Sequence, residues 1–205
     1  MNNEKKDIVI IEDHPVMRNG LALYLGKTGR WRVTGTASGL SQARSLLNTV
    51  PADVVLLDIQ LEDGWGLDII PWLAAQVKPG QRQLPVVAVY TVFDDYAHVS
   101  AALGMGVKAY ICKRRSEREL EKVLIKALNG SICIDEIAQL KLNTVTDLLS
   151  LLTKRETEIF KLVKSGLSNK QIGVQLGISH RTVENILSCV YDKTGIKSRL
   201  ELEKL

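Results

Sequence analysis

The chain has 205 residues, 45% hydrophobic and 24% charged, with 27 Lys+Arg against 23 Asp+Glu and a formal net charge of +4. This composition excludes a disordered, collagen-like or low-complexity polymer, and no apolar run approaches the roughly 20 residues of a membrane span. The length fits one or two domains; the charged start lacks a signal-peptide core, so the protein is expected in the cytoplasm, and Cys112, Cys133 and Cys189 are expected as reduced core thiols.

Residues 1–128 alternate strand and helix patterns. Short β-branched runs, apolar on both faces, lie at 8–11, 54–57, 86–89 and 110–112, the pattern of a parallel sheet covered by helices on both sides. Between them, the first helical pattern puts Val16, Leu21, Ala22 and Leu25 on one face, and a second, over 41–47, carries Ala43, Leu46 and Leu47. A capping box of Ser116 and Glu119 opens a third helix, striped with Leu120, Val123, Leu124, Ala127 and Leu128 and ended by Asn129-Gly130.

Repeated βαβ units predict a doubly wound α/β sheet, whose ligands bind at the carboxyl ends of the strands. Those ends carry Glu12 and Asp13, Asp58, Thr91 and Lys113. Clustered carboxylates without His or Cys suit Mg2+, and an ammonium with a hydroxyl suits the oxygens of a phosphoryl group. An aspartate beside such an ion can itself become the phosphorylated nucleophile. His14, His98 and His180 are scattered, form no triad or metal spacing, and are read as surface or local packing.

Residues 129–150 read as a linker that packs, with an extended piece near 131–135, helical spacing beyond it and no chemistry of its own. Residues 151–205 carry ten basic and six acidic side chains and three capping boxes, Thr153 with Glu156, Ser168 with Gln171 and Ser198 with Glu201. A short helix, a turn at Gly177 and a second helix from Ser179 make a helix-turn-helix. The second helix is apolar at Val183, Ile186, Leu187 and Val190; its outer face carries His180, Arg181, Glu184, Asn185 and Ser188, compact enough for the major groove of double-stranded DNA, and spacing alone equally fits a solvated helix face in a protein-binding bundle. Lys161, Lys164, Lys170, Lys193, Lys197 and Arg199 are candidates for phosphate contacts.

Residues 10–21 around Glu12-Asp13-His14-Pro15, 54–67 around Asp58, 85–95 with Thr91 and 106–113 ending in Lys113 resemble a two-component response-regulator receiver domain, flavodoxin-like in fold. The resemblance implies that Asp58 is the phosphoacceptor of a sensor histidine kinase, with Mg2+ held by Asp13, Asp58 and the backbone carbonyl of Gln60 and aided by Glu12. It further implies that Lys113 and Thr91 meet the phosphoryl group and that Tyr110 is a switch residue. Residues 152–156, 166–172, 178–185 and 193–199 are similar to the LuxR-type DNA-binding domain, so the whole chain resembles the NarL/FixJ response regulators. That implies base-facing Glu184, Asn185 and Ser188, phosphate-facing Lys170, Thr182 and Lys193, and a homodimer when active. The chain departs from the pattern at Arg114, often Pro, at Gln60-Leu61-Glu62 after the phosphoacceptor, and at Glu184, often Lys. A transcription regulator rather than an enzyme is expected: Asp58-Ile59-Gln60 lacks the second acid of the aspartate-nucleophile phosphatases. The alternative is a DNA-binding regulator independent of phosphate, its receiver serving as a protein-interaction module.

Overall fold

The computed structural model describes residues 4–76 and 84–205. Two compact units divide the chain, Met1–Ala138 and Gln139–Leu205. The first runs β1 (Lys6–Ile11), α1 (Pro15–Lys27), β2 (Trp31–Ala37), α2 (Leu40–Leu47), β3 (Val54–Leu57), β4 (Gln60–Leu61), β5 (Gly64–Trp65), α3 (Ile69–Ala75), β6 (Val86–Thr91), α4 (Tyr96–Gly104), β7 (Ala109–Cys112), α5 (Glu117–Leu128) and β8 (Cys133–Ile134). Among the described residues the main sheet has six strands, all parallel, in the order β2-β1-β3-β6-β7-β8. This is a doubly wound parallel α/β fold, followed by an all-helical unit.

The central strands are apolar on both faces because both faces are covered. Ile8, Val9, Ile10 and Ile11 in β1 and all of β3 are buried. On one side, Ile8, Ile10, Leu56, Ala88 and Tyr90 pack with Leu21 and Leu25 of α1 and Leu120, Leu124 and Ala127 of α5. Strand order reverses at β1, which has β2 on one flank and β3 on the other, so the switch point lies between β1 and β3. Glu12, Asp13 and Asp58 follow the last paired residues of those two strands, Ile11 and Leu57.

Several elements differ from the sequence expectation. β2 carries no apolar run: as an edge strand it exposes Arg32, contains Gly35, and shifts register against β1 between Ile8 and Val9. α3 and α4 were not expected either; α4 starts at Asp95, whose carboxylate accepts from the amides of Ala97 and His98. Val16 does not share the buried face of α1 and is 87% exposed, while Leu21 and Leu25 are buried. The segment expected as a linker is partly sheet: Cys133 donates to the Lys108 carbonyl and Asp135 to that of Tyr110, which seats β8 beside β7. Of the three cysteines, Cys112 alone is buried; Cys133 is half-buried and Cys189 exposed, which corrects the expectation of three core thiols.

Helix α6 (Glu136–Ser150) begins in the first unit and runs on in the second, which continues with α7 (Lys154–Lys164), α8 (Asn169–Leu176), α9 (His180–Thr194) and α10 (Arg199–Lys204). Val145, Ile159, Phe160, Val163, Ile172, Val183, Leu187, Val190, Ile196 and Leu202 are its buried apolar residues among those described. Thr153 with Glu156 and Ser168 with Gln171 close complete capping boxes. Ser198 accepts from the Glu201 amide, but the Glu201 carboxylate reaches back to the amide of Lys197 instead.

A long-range cap fixes the loop after β3. β4 and β5 form an antiparallel ribbon that delivers Asp63 to α2, where it accepts from the amides of Leu40 at 2.7 Å and Ser41 at 3.0 Å. Those amides lower the Asp63 pKa below its ordinary 3.8. A lowered folded-state pKa means stability that is present above the unfolded value and lost as pH falls through the folded one. Asp63→Ala is therefore expected to destabilise the first unit by about 1 kcal/mol at neutral pH, the usual worth of a helix cap. In denaturant titrations of parent and variant, the gap should close as the medium is acidified below pH 3.8.

Candidate functional site

The carboxyl-terminal rim of the sheet is built by backbone bonds that carry each strand one step past its ladder. Glu12 donates to the Ala37 carbonyl, Asp58 to that of Ile11 at 2.9 Å, and Lys113 to that of Thr91 at 2.7 Å. Gly66 lets the chain after the ribbon lie against the Asp58 backbone: a Cβ there would fall 2.0 Å from the Asp58 carbonyl oxygen.

Lys113 binds this rim together. Its Nζ lies 2.6 Å from Asp58 Oδ2 and 2.7 Å from Glu12 Oε2, and the three side chains are only 10%, 5% and 2% exposed. Burial works against the ammonium, but hydrogen bonds to Asp58 and then Glu12 outweigh it and hold the Lys113 pKa above the ordinary lysine value. Gln60 sits on the exposed ribbon, its amide 3.4 Å from Asp58 Oδ1. Thr91 is fully buried, and its Oγ1 has no hydrogen-bond partner among the described residues. Tyr110 is buried and donates from its hydroxyl to the Phe93 carbonyl at 3.0 Å; burial raises its pKa far above the ordinary phenol value.

Glu12, Asp13, His14 and Asp58 place ligand atoms all within 4.8 Å of one another. Three carboxylates against one ammonium leave the pocket negative, and an oxygen donor set of this kind fits a hard divalent cation such as Mg2+. His14, expected at the surface or in local packing, is 74% exposed, with its Nδ1 2.6 Å from Asp13 Oδ1 and 3.2 Å from Glu12 Oε1. Sequence reasoning also missed Arg18, which donates from one nitrogen to the carbonyls of Glu12 at 2.6 Å and Asp13 at 3.1 Å and so fixes the acidic loop. An i to i+5 or i+6 reach back to a loop has no sequence period to betray it.

The residues after Lys113 tie the rim to the segment expected to be without chemistry. Arg114 donates to Asp94 at 2.7 Å and to Asp135 at 2.9 Å, and Arg115 to Asp135 at 2.7 Å. The Asp135 side chain is fully buried and also caps the Ile137 amide at the start of α6. Burial pushes its pKa up, but the guanidiniums of Arg115 and Arg114 hold it below the ordinary carboxylate value. Nearby, burial pushes the Cys112 thiol up to about 11, so it stays protonated.

In the second unit, the helix-turn-helix is α8, a turn at Gly177 with φ of 66°, and α9 capped by Ser179. His180, Arg181, Thr182, Glu184, Asn185 and Ser188 are exposed on α9, and Lys170 is exposed on α8. The candidate phosphate contacts Lys193 and Arg199 are already engaged. Lys193 donates to both oxygens of Glu156 at 2.8 Å; Arg199 holds Glu203, the Asn169 side chain and the Leu167 carbonyl.

Residues 8–125 match the family described as response regulator receiver domain, and residues 150–204 the family described as bacterial regulatory proteins, luxR family. The chain is 30% identical to the nitrate/nitrite response regulator protein NarL of Escherichia coli strain K12, covering 98% of this chain and 94% of NarL. It is 29% identical to the oxygen regulatory protein NreC of Staphylococcus aureus strain JH9, over 95% and 94% of the two chains. It is 26% identical to the transcriptional regulatory protein YdfI of Bacillus subtilis strain 168, over 95% and 92%. Among solved structures, the two-component response regulator RcsB in complex with DNA is similar with a TM-score of 0.72 at 20% identity, covering 98% of this chain and 97% of RcsB, a likeness of fold.

Gly173 of α8 sets the close approach on which the helix-turn-helix depends. A Cβ there would lie 2.7 Å from the Ile178 carbonyl oxygen, whose residue donates back to the Gly173 carbonyl at 2.9 Å. Alanine would gain up to about 1 kcal/mol of helix propensity but pay about 1–3 kcal/mol in overpacking against backbone. Gly173→Ala is expected to destabilise the second unit on balance, read as a lower unfolding midpoint for that unit with the first unchanged.

Proposed function

This chain belongs to the response regulators of the NarL/FixJ class, a receiver domain followed by a luxR-type DNA-binding domain, and on that footing we propose that phosphorylation of Asp58 governs its binding to double-stranded DNA. The observation that carries this reading is the buried Lys113 ammonium between Glu12 and Asp58, with Asp13 beside them. A sensor histidine kinase is the phosphoryl donor. A carboxylate oxygen of Asp58 attacks phosphorus, the bond from phosphorus to the donor imidazole nitrogen breaks, and an aspartyl phosphate forms. Glu12, Asp13, Asp58 and the Gln60 carbonyl are the groups that would hold Mg2+, which when bound would supply charge neutralisation for the phosphoryl oxygens.

The chain's own groups do the rest. Lys113, now paired with Asp58, transfers its donors to a phosphoryl oxygen. Thr91 Oγ1, buried without a partner among the described residues, donates to another. A shift of Thr91 pulls on the loop that Tyr110 anchors through the Phe93 carbonyl, a local charge event with two arrangements. The readout is dimerisation and DNA binding in the cytoplasm. Glu184, Asn185 and Ser188 face bases, with His180 and Arg181 on the same exposed face and Lys170 and Thr182 towards phosphates. Lys193 joins the phosphate contacts only by giving up Glu156. The receiver occupies 1–128, a connecting segment 129–150 and the DNA-binding domain 151–205 in this reading.

Intact mass after incubation with Mg2+ and a small phosphodonor tests it. One phosphoryl group is expected on the parent, none on Asp58→Ala and none in excess EDTA. The phosphorylated protein should then bind a two-half-site duplex more tightly; equal affinity in both states would refute the reading. Asn185→Ala is expected to cost about 1–3 kcal/mol at one base position. Lys170→Ala should weaken all sequences alike and lower the salt slope by about one.

A further inference from the structure

We propose that Arg114 is a positioning residue that carries the state of Asp58 to the start of helix α6, by giving up one carboxylate partner, Asp94, and keeping the other, Asp135. On the reading that phosphorylation of Asp58 is the switch, Arg114 is the side chain through which the switch leaves the rim.

Arg114 stands where the rim, the loop after β6 and the first turn of α6 meet. It follows Lys113 directly in the chain, and Lys113 already holds Asp58 at 2.6 Å. Its Nη1 donates to Asp94 at 2.7 Å, and Asp94 lies on the loop that leaves Thr91 and that Tyr110 anchors through the Phe93 carbonyl. Its Nη2 donates to Asp135 Oδ1 at 2.9 Å, the same oxygen that accepts from the Ile137 amide at 3.1 Å in the first turn of α6. Asp135 is tied back to the sheet as well, its own amide donating to the Tyr110 carbonyl at 2.8 Å. One guanidinium thus touches both the loop that bears the switch hydroxyl and the carboxylate that caps the helix. This chain has arginine where receivers often have proline, and a proline side chain could hold neither acid.

The two arms are unequal. The Asp135 side chain is fully buried, whereas Asp94 is 23% and Arg114 40% exposed. An ion pair open to water is worth little, while a buried carboxylate stripped of a partner is costly. Burial opposes the charge of Asp135, but Arg115 and Arg114 hold its pKa below the ordinary carboxylate value, so it stays ionised and in need of both. When Thr91 turns to a phosphoryl oxygen, the pull on its loop falls on the Asp94 arm, and that arm lets go. Arg114 then serves Asp135 alone, fixes Oδ1 under the Ile137 amide and firms the start of α6.

Hydrogen–deuterium exchange of the full chain, read by mass spectrometry over residues 135–142 before and after treatment with Mg2+ and acetyl phosphate, tests this; intact mass gives the phosphoryl occupancy. In the parent, exchange in the first turn of α6 should slow by about fivefold on phosphorylation, the factor a helix cap is worth. Asp94→Ala should be slow without phosphate and change little with it. Arg114→Ala should be fast in both states. A parent that takes up the phosphoryl group with no change over 135–142 overturns the proposal. So does an Asp94→Ala chain that starts as fast as the parent and slows as the parent does, the result expected if Arg114 merely braces the fold. Either outcome leaves phosphorylation control of Asp58 standing; a parent that takes up no phosphoryl group removes that reading and this inference together. Thermal melts confirm that the first unit is folded in each variant, and should Arg114→Ala fail to fold, Asp94→Ala decides alone.

Discussion

One buried ammonium makes the receiver rim possible. Glu12, Asp13 and Asp58 converge where parallel strands end, and two unit charges about 4 Å apart repel by about 4 kcal/mol at an effective dielectric near 20. Lys113 is held between two of these acids with almost no exposure. Removing one member of such a buried pair leaves a desolvated charge, a loss of about 3–5 kcal/mol in comparable cases. The residual negative charge is what draws a cation, and the same ammonium is what a new anionic group on Asp58 would compete for. In the proposed function, cation binding and switching would share one electrostatic centre, assembled from three separate strand ends.

Legibility followed the range of each interaction. β1, β3, β6 and β7 were readable because burial on both faces demands unbroken apolar runs. β2 was not, since an edge strand has a single neighbour and tolerates Arg32, Thr34 and Gly35. α3, with Pro71 in its first turn, and α4, whose small and apolar residues form no clear stripe, gave no amphipathic period. The strand-end acids, Thr91 and Lys113 were visible because each follows a readable strand. Arg18 and Asp135 were not, because their partners are set by loop geometry: Asp135 is 21 residues from Arg114 in sequence, and nothing in residues 129–150 announces a buried carboxylate.

The second unit was more legible because its signals are local. Capping boxes are written within four residues, and two of the three expected boxes close completely, with Ser179 adding a cap of its own. The third is rearranged because the Glu201 carboxylate finds the Lys197 amide. What local signals cannot convey is whether a surface cation is spoken for. Lys193 and Arg199 look alike with the other basic residues in sequence, yet Glu156, 37 positions away from Lys193, takes up its charge. The basic excess of this segment therefore overstates the number of ammonium and guanidinium groups ready for a polyanion.

The ends of the parallel sheet bear on self-association of a different kind. A bare strand edge is a template for adding strands from another molecule, the route to uncontrolled aggregation. Here one edge is β2, interrupted by its register shift and carrying Arg32 paired with Asp7, and the other is β8, two residues long and followed at once by the Asp135 clamp. Both edges are poor templates. Pairing of copies of this chain is therefore expected through helix faces or loops, with the sheet edges left out of the contact.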